Sequence, residues 1–247
     1  MKRFALIGHP VAGSLSPQLF AAAYGGRYAY DLLDYDRFAD AWQAFLNGYE
    51  GINVTAPYKL DAYAAVDVLG ASARETGAVN LVVRTPAGLE GHNADVDGIV
   101  GALTSFPAWT GNLPASSVAL VVGTGGAARA AVAAARRLGC QVWVTGRSEQ
   151  KAAALGCPFL PLDFRAGSPV QPHLVLYTLP SSAPVPEGLP LENAVVLEAE
   201  YKAPRLAGAP CRCYVSGRRW LLHQALAGYR LFTGEDPDAA AMSNVIQ

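Results

Sequence analysis

Lys59 and Asp95 are the two residues whose types could together do acid–base chemistry. Lys59 follows a β-prone run that must stop at Pro57, because proline has a fixed φ and no backbone N–H to donate. It is therefore predicted on a loop just beyond a strand. Asp95 ends the polar run Gly91 to Asp95. An ammonium that polarises a carbonyl and supplies a proton, held by a carboxylate, would be the acid–base part of a carbonyl reductase that also has a dinucleotide site, with Lys59 and Asp95 as its catalytic residues.

Each of these residues also has an ordinary interpretation. A lone lysine after a strand is usually a solvated loop residue. Asp95 could be the N-cap of a helix predicted over Val96 to Thr104. Which of the two would deliver the proton stays open, because a close pair titrates as a unit.

A glycine-rich turn predicts a dinucleotide site. The pattern Gly123-x-Gly125-x-x-Ala128 lies between a predicted strand, Val118 to Val122, and a predicted helix, Ala127 to Leu138. Such a turn brings the backbone close to a pyrophosphate at the helix N-terminus, where free N–H groups favour anions. The cofactor-binding residues predicted here and at the ends of two later strands are Gly123, Gly125, Gly126, Ala127, Arg147, Ser148 and Thr178.

The end of the next predicted strand, Gln141 to Thr145, selects the nucleotide. An Asp or Glu there would bond the 2′-hydroxyl of NAD, but the chain has Gly146-Arg147-Ser148. A guanidinium and a hydroxyl suit a 2′-phosphate, so the sequence predicts NADP as the cofactor. Glu149 keeps NAD as a minority alternative, and on its own Arg147 would more often be a solvated surface residue.

Strands and helices alternate almost throughout, which is typical of an α/β fold with mainly parallel sheets. A hairpin is predicted from Ala78 to Arg84 and Leu89 to His92, turned at Pro86 to Gly88. The turn-rich segment Phe106 to Pro114 predicts a domain boundary nearby. The other predicted elements are strands Phe4 to Gly8, Tyr28 to Leu33, Gly51 to Val54, Leu174 to Thr178 and Ala194 to Glu198, and helices Ser16 to Ala23, Arg37 to Asn47, Arg218 to Phe232 and Asp238 to Val245.

Composition excludes several function classes. The chain has 247 residues, 51% hydrophobic and 16% charged, enough to bury one large core or two smaller ones. A net charge of −1 gives no case for nucleic acid or an anionic membrane. The first apolar stretch is broken at His9 after five residues and no apolar run reaches transmembrane length, so neither a signal peptide nor a membrane span is expected. Four irregularly spaced cysteines indicate a reducing cytoplasm, and the four histidines lack metal-site spacing, so no metal is expected.

Together these segments resemble the shikimate dehydrogenase family, the NADP-dependent reductases of 3-dehydroshikimate. Matching pieces run from Ser14-Leu15-Ser16-Pro17 to Tyr229-Arg230-Leu231-Phe232-Thr233-Gly234, so nearly the whole chain is covered. The resemblance implies a two-domain α/β fold, with an N-terminal α/β substrate domain and a Rossmann-type dinucleotide-binding domain. It also implies reversible, NADPH-dependent reduction of 3-dehydroshikimate to shikimate in chorismate and aromatic amino acid biosynthesis.

The resemblance implies roles for further residues. Ser14 and Ser16 would donate to the substrate carboxylate, with Tyr201 as an additional partner. Positions that bond ring hydroxyls or frame the catalytic pair are matched by Asn53, Thr55, Asn80 and Gln224. Ser16 also looks like a helix N-cap, with proline following at the first helical position. Asn80 is predicted in mid-strand, where its amide needs a partner, and Gln224 could equally face solvent.

The chain departs from the family pattern without losing a catalytic position. Gly146 stands for an Asn and removes one possible phosphate or adenosine contact. Ala94 stands for a Thr, and Glu198 stands for an Asp. These changes affect cofactor affinity and loop geometry more than the catalytic chemistry.

The expected substrate-binding domain comprises residues 1–98 and 219–247, because the family's C-terminal helices return to the first domain. The expected NADP-binding domain comprises residues 99–218, and the active site would be the cleft between the two. A small-molecule substrate is the expected partner, and the chain would be a monomer or a homodimer.

Three alternatives stay open. A quinate/shikimate dehydrogenase would use NAD as readily, and Arg147 argues against it. A methylenetetrahydrofolate dehydrogenase would share the architecture and a catalytic lysine, but Ser14 and Ser16 argue against it. A non-catalytic nucleotide-binding paralogue would explain the altered loops, but the Lys59–Asp95 pair opposes it.

Overall fold

The computed structural model describes residues 2–107, 109 and 116–246. The chain forms two compact units, Met1–Gly98 with Leu222–Gln247, and Ile99–Leu221. Each unit is built on its own six-stranded sheet. Most of the predicted connector, Phe106 to Pro114, lies outside the described residues. Within the described ranges, no helix is long and apolar enough to cross a membrane.

The first unit has a mixed sheet. Its strands are β1 (Arg3–Gly8), β2 (Ala29–Asp34), β3 (Gly51–Val54), β4 (Val68–Leu69), β5 (Leu81–Thr85) and β6 (Gly88–His92). Their order is β2-β1-β3-β5-β6-β4. β1 pairs parallel with β2 and β3, whereas β5 runs antiparallel to β3 and β6. The start of β5 therefore lies at the same edge of the sheet as the ends of β1, β3 and β6.

The second unit has an all-parallel sheet. Its strands are β7 (Val118–Val122), β8 (Gln141–Thr145), β9 (Phe159–Leu160), β10 (Leu174–Tyr177), β11 (Val195–Glu198) and β12 (Cys213–Val215). Their order is β12-β11-β10-β7-β8-β9, so the direction of strand order reverses between β7 and β10. In such sheets, ligands bind beyond the carboxyl ends of the strands at this switch point.

Helices flank both sheets. Those in the described part of the chain are α1 (Ser16–Tyr24), α2 (Phe38–Leu46), α3 (Lys59–Ala65), α4 (Ala71–Thr76), α5 (Asp95–Thr104), α6 (Gly126–Arg137), α7 (Glu149–Ala153), α8 (Gly217–Thr233) and α9 (Ala239–Val245). α6 packs on β7 and β8, and its buried alanines let it lie close to those strands. α9 packs on α1 in the first unit.

An aromatic cluster ties the end of the chain to its start. Phe4 of β1 stacks on Phe232 of α8 with ring centroids 5.1 Å apart, and Phe20 of α1 meets Tyr229 of α8 edge-on at 4.8 Å. All four side chains are buried. A Cβ on Gly51 of β3 would lie 2.7 Å from the Phe232 ring, so glycine is the residue that leaves room for it. The end of α8 is therefore part of the core of the first unit.

Short elements account for most differences from the sequence prediction. Six short elements are not predicted from the sequence, because such segments carry too little periodicity to be recognised: α3, α4, α7, β4, β9 and β12. The predicted hairpin is present, but β5 begins at Leu81 rather than at Ala78. The other predicted elements lie within one residue of their expected bounds.

Candidate active site

Several segments of the first unit meet at one edge of its sheet. Thr55, just after β3, donates its N–H to the Ile7 carbonyl of β1 at 2.9 Å. Val54 donates its N–H to the Asn80 carbonyl, just before β5, at 2.8 Å. Asn80 in turn donates its N–H to the carbonyl of His92, the last residue of β6, at 3.0 Å. These bonds fix the segments that carry the predicted catalytic pair.

Lys59 and Asp95 form a close ion pair, with Nζ 2.5 Å from Oδ2. Their side chains are only 14% and 7% exposed, so solvent screens their attraction less than it would on the surface. Lys59 is the first residue of α3, and the predicted loop position is wrong because the turn from Thr55 to Tyr58 leads directly into a helix. Asp95 is the first residue of α5 rather than its N-cap, where the helix dipole favours a negative charge.

Asn80 connects this edge to α8. Its Oδ1 accepts the Ala94 N–H at 2.8 Å, and its Nδ2 donates to Gln224 Oε1 at 3.2 Å. The predicted mid-strand position is wrong, because β5 begins one residue later, but the amide does have its partners. Gln224 is partly buried and directed at Asn80 rather than at solvent. Asn53 Nδ2 donates to the Asn80 carbonyl at 3.4 Å, and Asn53 Oδ1 accepts from Tyr30 Oη at 2.7 Å.

Asn93 also lies at this edge, although it is not among the site residues predicted from the sequence. Its Oδ1 accepts the Asp95 N–H at 3.0 Å. Its Nδ2 donates to Thr76 Oγ1 and to the Ala78 carbonyl, both at 3.0 Å. The side chain is buried, so these bonds replace water as its partners. An Asn two residues before a helix-initiating Asp is a local signal for such a turn, and it could have identified Asn93 from the sequence.

Ser14 and Ser16 lie next to each other at the start of α1. Ser14 Oγ donates to Ser16 Oγ at 3.1 Å and accepts the Ser16 N–H at 3.3 Å. Both residues are buried. The prediction that Ser16 is the N-cap is wrong, because Leu15 occupies that position and makes no side-chain capping bond. The two hydroxyls are therefore held together as a pair of polar groups in a buried position.

The glycine-rich turn of the second unit follows β7. Gly123 has φ +126°, and a Cβ there would lie 2.3 Å from Thr178 Oγ1, so both backbone and space require glycine. Gly125 is the N-cap of α6, which begins at Gly126, and a Cβ on Gly125 would meet no atom within 4 Å. This open space over free N–H groups of a helix N-terminus fits a dinucleotide pyrophosphate.

The turn after β8 holds the predicted nucleotide-selecting residues. Arg147 is exposed, and it forms no ion pair within the described residues. Ser148 is the N-cap of α7 and its Oγ accepts the Lys151 N–H at 3.3 Å. Thr178, the residue after β10, donates its hydroxyl to the Val122 carbonyl at 2.9 Å.

Tyr201 is the one predicted substrate residue that lies in the second unit, on the loop after β11. Glu198, the last residue of β11, organises this loop, since its buried carboxylate accepts the backbone N–H groups of Arg205 and Leu206 at 2.7 and 3.0 Å. It also accepts from Tyr214 Oη at 2.9 Å. Burial, together with this bond to a carboxylate, raises the pKa of the Tyr214 phenol well above its usual range.

No group of three or more His, Cys, Asp or Glu residues in the described ranges could hold a metal ion. A mixed-sheet unit with a shielded lysine–carboxylate pair and a parallel-sheet unit with a glycine-rich dinucleotide turn define a two-domain α/β oxidoreductase. Residues 6–82 match the family model of the shikimate dehydrogenase substrate binding domain. The chain belongs to the shikimate dehydrogenase family.

Similar proteins cover nearly the whole chain. The NADP(+) shikimate dehydrogenase of Thermus thermophilus is 33% identical over 98% of this chain and 96% of that protein. The corresponding enzyme of Acidiphilium cryptum is 35% identical over 94% of this chain and 90% of that protein. The crystal structure of Thermus thermophilus shikimate 5-dehydrogenase in complex with NADP(H) and shikimate superposes with a TM-score of 0.81, at 32% identity, over 100% of this chain and 98% of that one. The predicted two-domain fold class is confirmed.

Proposed function

We propose that this chain catalyses the reversible NADPH-dependent reduction of 3-dehydroshikimate to shikimate, a step of chorismate and aromatic amino acid biosynthesis. The observation that carries the proposal is the shielded Lys59–Asp95 pair, 2.5 Å apart, in a member of the shikimate dehydrogenase family. Reducing a ketone requires a group that polarises the carbonyl and a proton for the alkoxide oxygen. This pair can provide both.

Lys59 is the residue that meets the ketone oxygen. Its ammonium has three donors, of which one goes to Asp95 within the described part of the chain, so others remain for the substrate. As negative charge develops on the ketone oxygen, the ammonium stabilises it and donates a proton, and Asp95 keeps the ammonium oriented. NADPH, when bound, supplies the hydride. In the reverse direction the same pair accepts the proton from the alcohol.

The substrate binds at the edge of the first sheet. The hydroxyls of Ser14 and Ser16 bind its carboxylate, because two adjacent hydroxyl donors in a buried position suit a carboxylate. Tyr201 is a further partner of that carboxylate. The ring hydroxyls bind Asn53, Thr55, Asn80 and Gln224, of which Asn53, Asn80 and Gln224 form one hydrogen-bonded set.

NADP binds the second unit. The free N–H groups of Gly125, Gly126 and Ala127 hold the pyrophosphate, with Gly123 keeping the turn tight beside Thr178. Arg147 and Ser148 receive the 2′-phosphate, for which a guanidinium is the stronger donor. The unit Ile99–Leu221 is accordingly the NADP-binding domain, and Met1–Gly98 with Leu222–Gln247 is the substrate-binding domain.

Purified protein tests the function directly. We expect NADP-linked oxidation of shikimate, with weaker oxidation of quinate and a weaker response to NAD, monitored as formation of reduced nicotinamide. Equal use of NAD and NADP, or a preference for quinate, would support a quinate/shikimate dehydrogenase instead. Nucleotide binding without turnover of either alcohol would support a non-catalytic paralogue.

Location and assembly belong to the same proposal. The chain acts in the cytoplasm, as supported by four cysteines that are all free thiols. It is a monomer or a homodimer, since a single chain carries both the predicted substrate residues and the predicted NADP residues. Light scattering coupled to size-exclusion chromatography measures the assembly, and a trimer or larger species would contradict it.

A further inference from the structure

Two turns of the second unit lie side by side at the carboxyl end of its sheet. β7 and β8 are parallel neighbours, with Val122 paired to Thr145. Gly123 donates its N–H to the Thr145 carbonyl at 2.8 Å, which joins the two turns directly. The residues that follow, Thr124 and Gly146, are therefore neighbours across the two turns. Gly146 immediately precedes Arg147.

The side chain of Thr124 occupies the space beside Gly146. A Cβ on Gly146 would lie 2.8 Å from Thr124 Cγ2 and 3.6 Å from Thr124 Oγ1. Gly146 does not have a positive φ, so its backbone conformation would accept any residue. A side chain at this position would have to displace the methyl group of Thr124, and the sign of φ sets no such limit. The two positions form a steric pair, in which a side chain on one excludes a side chain on the other.

The hydroxyl of Thr124 makes no hydrogen bond within the described part of the protein. The neighbouring hydroxyls are used, since Ser148 caps α7 and Thr178 donates to the Val122 carbonyl. Thr124 is partly exposed, and its hydroxyl has no hydrogen-bond partner among the described residues. Arg147 is likewise without an ion-pair partner in the described ranges. The paired turns thus present one free hydroxyl and one free guanidinium.

We propose that Thr124 is a specificity residue for the 2′-phosphate of the cofactor, donating its hydroxyl to the phosphate that Arg147 binds. The Thr124 hydroxyl would then supply a phosphate contact that glycine at position 146 cannot make. A phosphate monoester accepts several charge-assisted hydrogen bonds, and a hydroxyl beside a guanidinium supplies the second of them. The neutral 2′-hydroxyl of NAD would accept only a weaker, uncharged hydrogen bond from Thr124. The inference rests on the proposed function only in taking NADP as the cofactor.

Binding of two nucleotide fragments tests the proposal without turnover. Adenosine 2′,5′-bisphosphate and adenosine 5′-monophosphate differ only in the 2′-phosphate, and titration calorimetry gives the dissociation constant of each. Thr124→Val keeps the branched shape and removes the hydroxyl, so the bisphosphate should bind about tenfold more weakly, while the monophosphate is unaffected. Thr124→Ser keeps the hydroxyl and should bind both fragments as the wild type does.

The steric pair provides an independent readout. Gly146→Ala forces a Cβ against Thr124 Cγ2, at 2.8 Å, and should weaken bisphosphate binding by displacing Thr124. Thr124→Ser removes that methyl group, so the double variant Thr124→Ser/Gly146→Ala should recover wild-type binding. Thermal unfolding of each variant checks that the second unit stays folded. A double variant no better than Gly146→Ala would overturn the steric argument.

The failures of the two proposals are distinguishable. If the wild type binds both fragments equally, the NADP assignment is wrong and the role of Thr124 falls with it. If the wild type prefers the bisphosphate, and Arg147→Ala abolishes that preference while Thr124→Val leaves it intact, the NADP assignment holds and the proposal for Thr124 is overturned.

Discussion

At the scale of single residues, the proposed chemistry depends on one ammonium and one carboxylate that solvent reaches only slightly. A shielded pair is more strongly coupled than a surface ion pair, because less water screens the attraction. Lys59 and Asp95 should therefore act as a unit. Replacing either residue removes the ion pair and leaves the other charge largely shielded from solvent.

Replacing Lys59 by alanine should lower kcat by about 10²–10⁴, the range for a positioned acid–base group, while substrate still binds. Asp95→Asn keeps the shape but loses the charge that orients Lys59, so it should also lower kcat. Because the two act as a unit, the double variant should be little worse than the poorer single variant. Steady-state rates measure this, with circular dichroism checking the fold. Near wild-type turnover in folded Lys59→Ala would refute the mechanism, and additive losses would mean separate roles.

Ser14 is expected to act in binding rather than in chemistry. Ser14→Ala should mainly raise the KM for shikimate, because hydrogen bonds to the carboxylate exist in both ground and transition states. The expected loss is about 0.5–1.5 kcal/mol, or more if Ser14 faces the full carboxylate charge. Ser243→Ala, at a half-buried position of α9 where the hydroxyl donates to the Ala239 carbonyl of the same helix, is the matched control and should leave KM unchanged. An unaltered KM in Ser14→Ala would remove Ser14 from the site.

At the scale of elements, the position of Asp95 depends on how α5 begins. Asn93 accepts the Asp95 N–H and binds the segment before β5 through Thr76 and the Ala78 carbonyl. One amide therefore fixes the first turn of α5 against the residues that lead into β5. Removing the Asn93 side chain should therefore lower kcat by changing the orientation of Asp95.

Asn93→Ala should lower kcat and destabilise the protein by about 1–3 kcal/mol, because it leaves buried groups without partners. Asn93→Ser retains a short acceptor for the Asp95 N–H and should recover part of kcat. Thr76→Val is the control, since it removes a partner of Asn93 without touching Asp95 and should lower stability alone. Rates and urea midpoints for the three variants separate the two effects. Equal kcat in Asn93→Ala and the wild type would make Asn93 merely structural.

At the scale of the whole molecule, the first unit is assembled from both ends of the chain. Phe232, near the end of α8, packs on Phe4 near the start of β1. Gly51 of β3 leaves the space that the Phe232 ring occupies. The first unit therefore cannot complete its core until Phe232 has been made.

Phe232→Ala should lower the free energy of unfolding by about 3–5 kcal/mol, the usual cost of removing a buried aromatic ring. Its neighbour Leu231 is 46% exposed, so Leu231→Ala should change stability by less than about 0.5 kcal/mol. Urea denaturation followed by tryptophan fluorescence compares the two variants. Similar midpoints for both would mean that α8 does not contribute to the core.

Much of this architecture is readable from the sequence because its signals are local. The β7 strand, its glycine-rich turn and α6 occupy one continuous stretch of sequence. The role of each residue there can be predicted from the residues next to it in the sequence. Pro57, three residues beyond the end of β3, likewise limits that strand through its own ring. The bounds of the longer elements agree closely with their hydrophobic periodicity. The family resemblance predicts how these elements are divided between the two domains.

The tertiary structure alone decided where several of these residues act. Asn80 donates to Gln224, which lies 144 residues away in the sequence. Thr124 occupies the space beside Gly146. No local sequence pattern links either pair. Lys59 begins a helix too short to be predicted, and that helix delivers it to Asp95. Sequence patterns report neighbours along the chain, whereas hydrogen bonds and steric exclusion depend on distances in space, which the packing of distant segments creates.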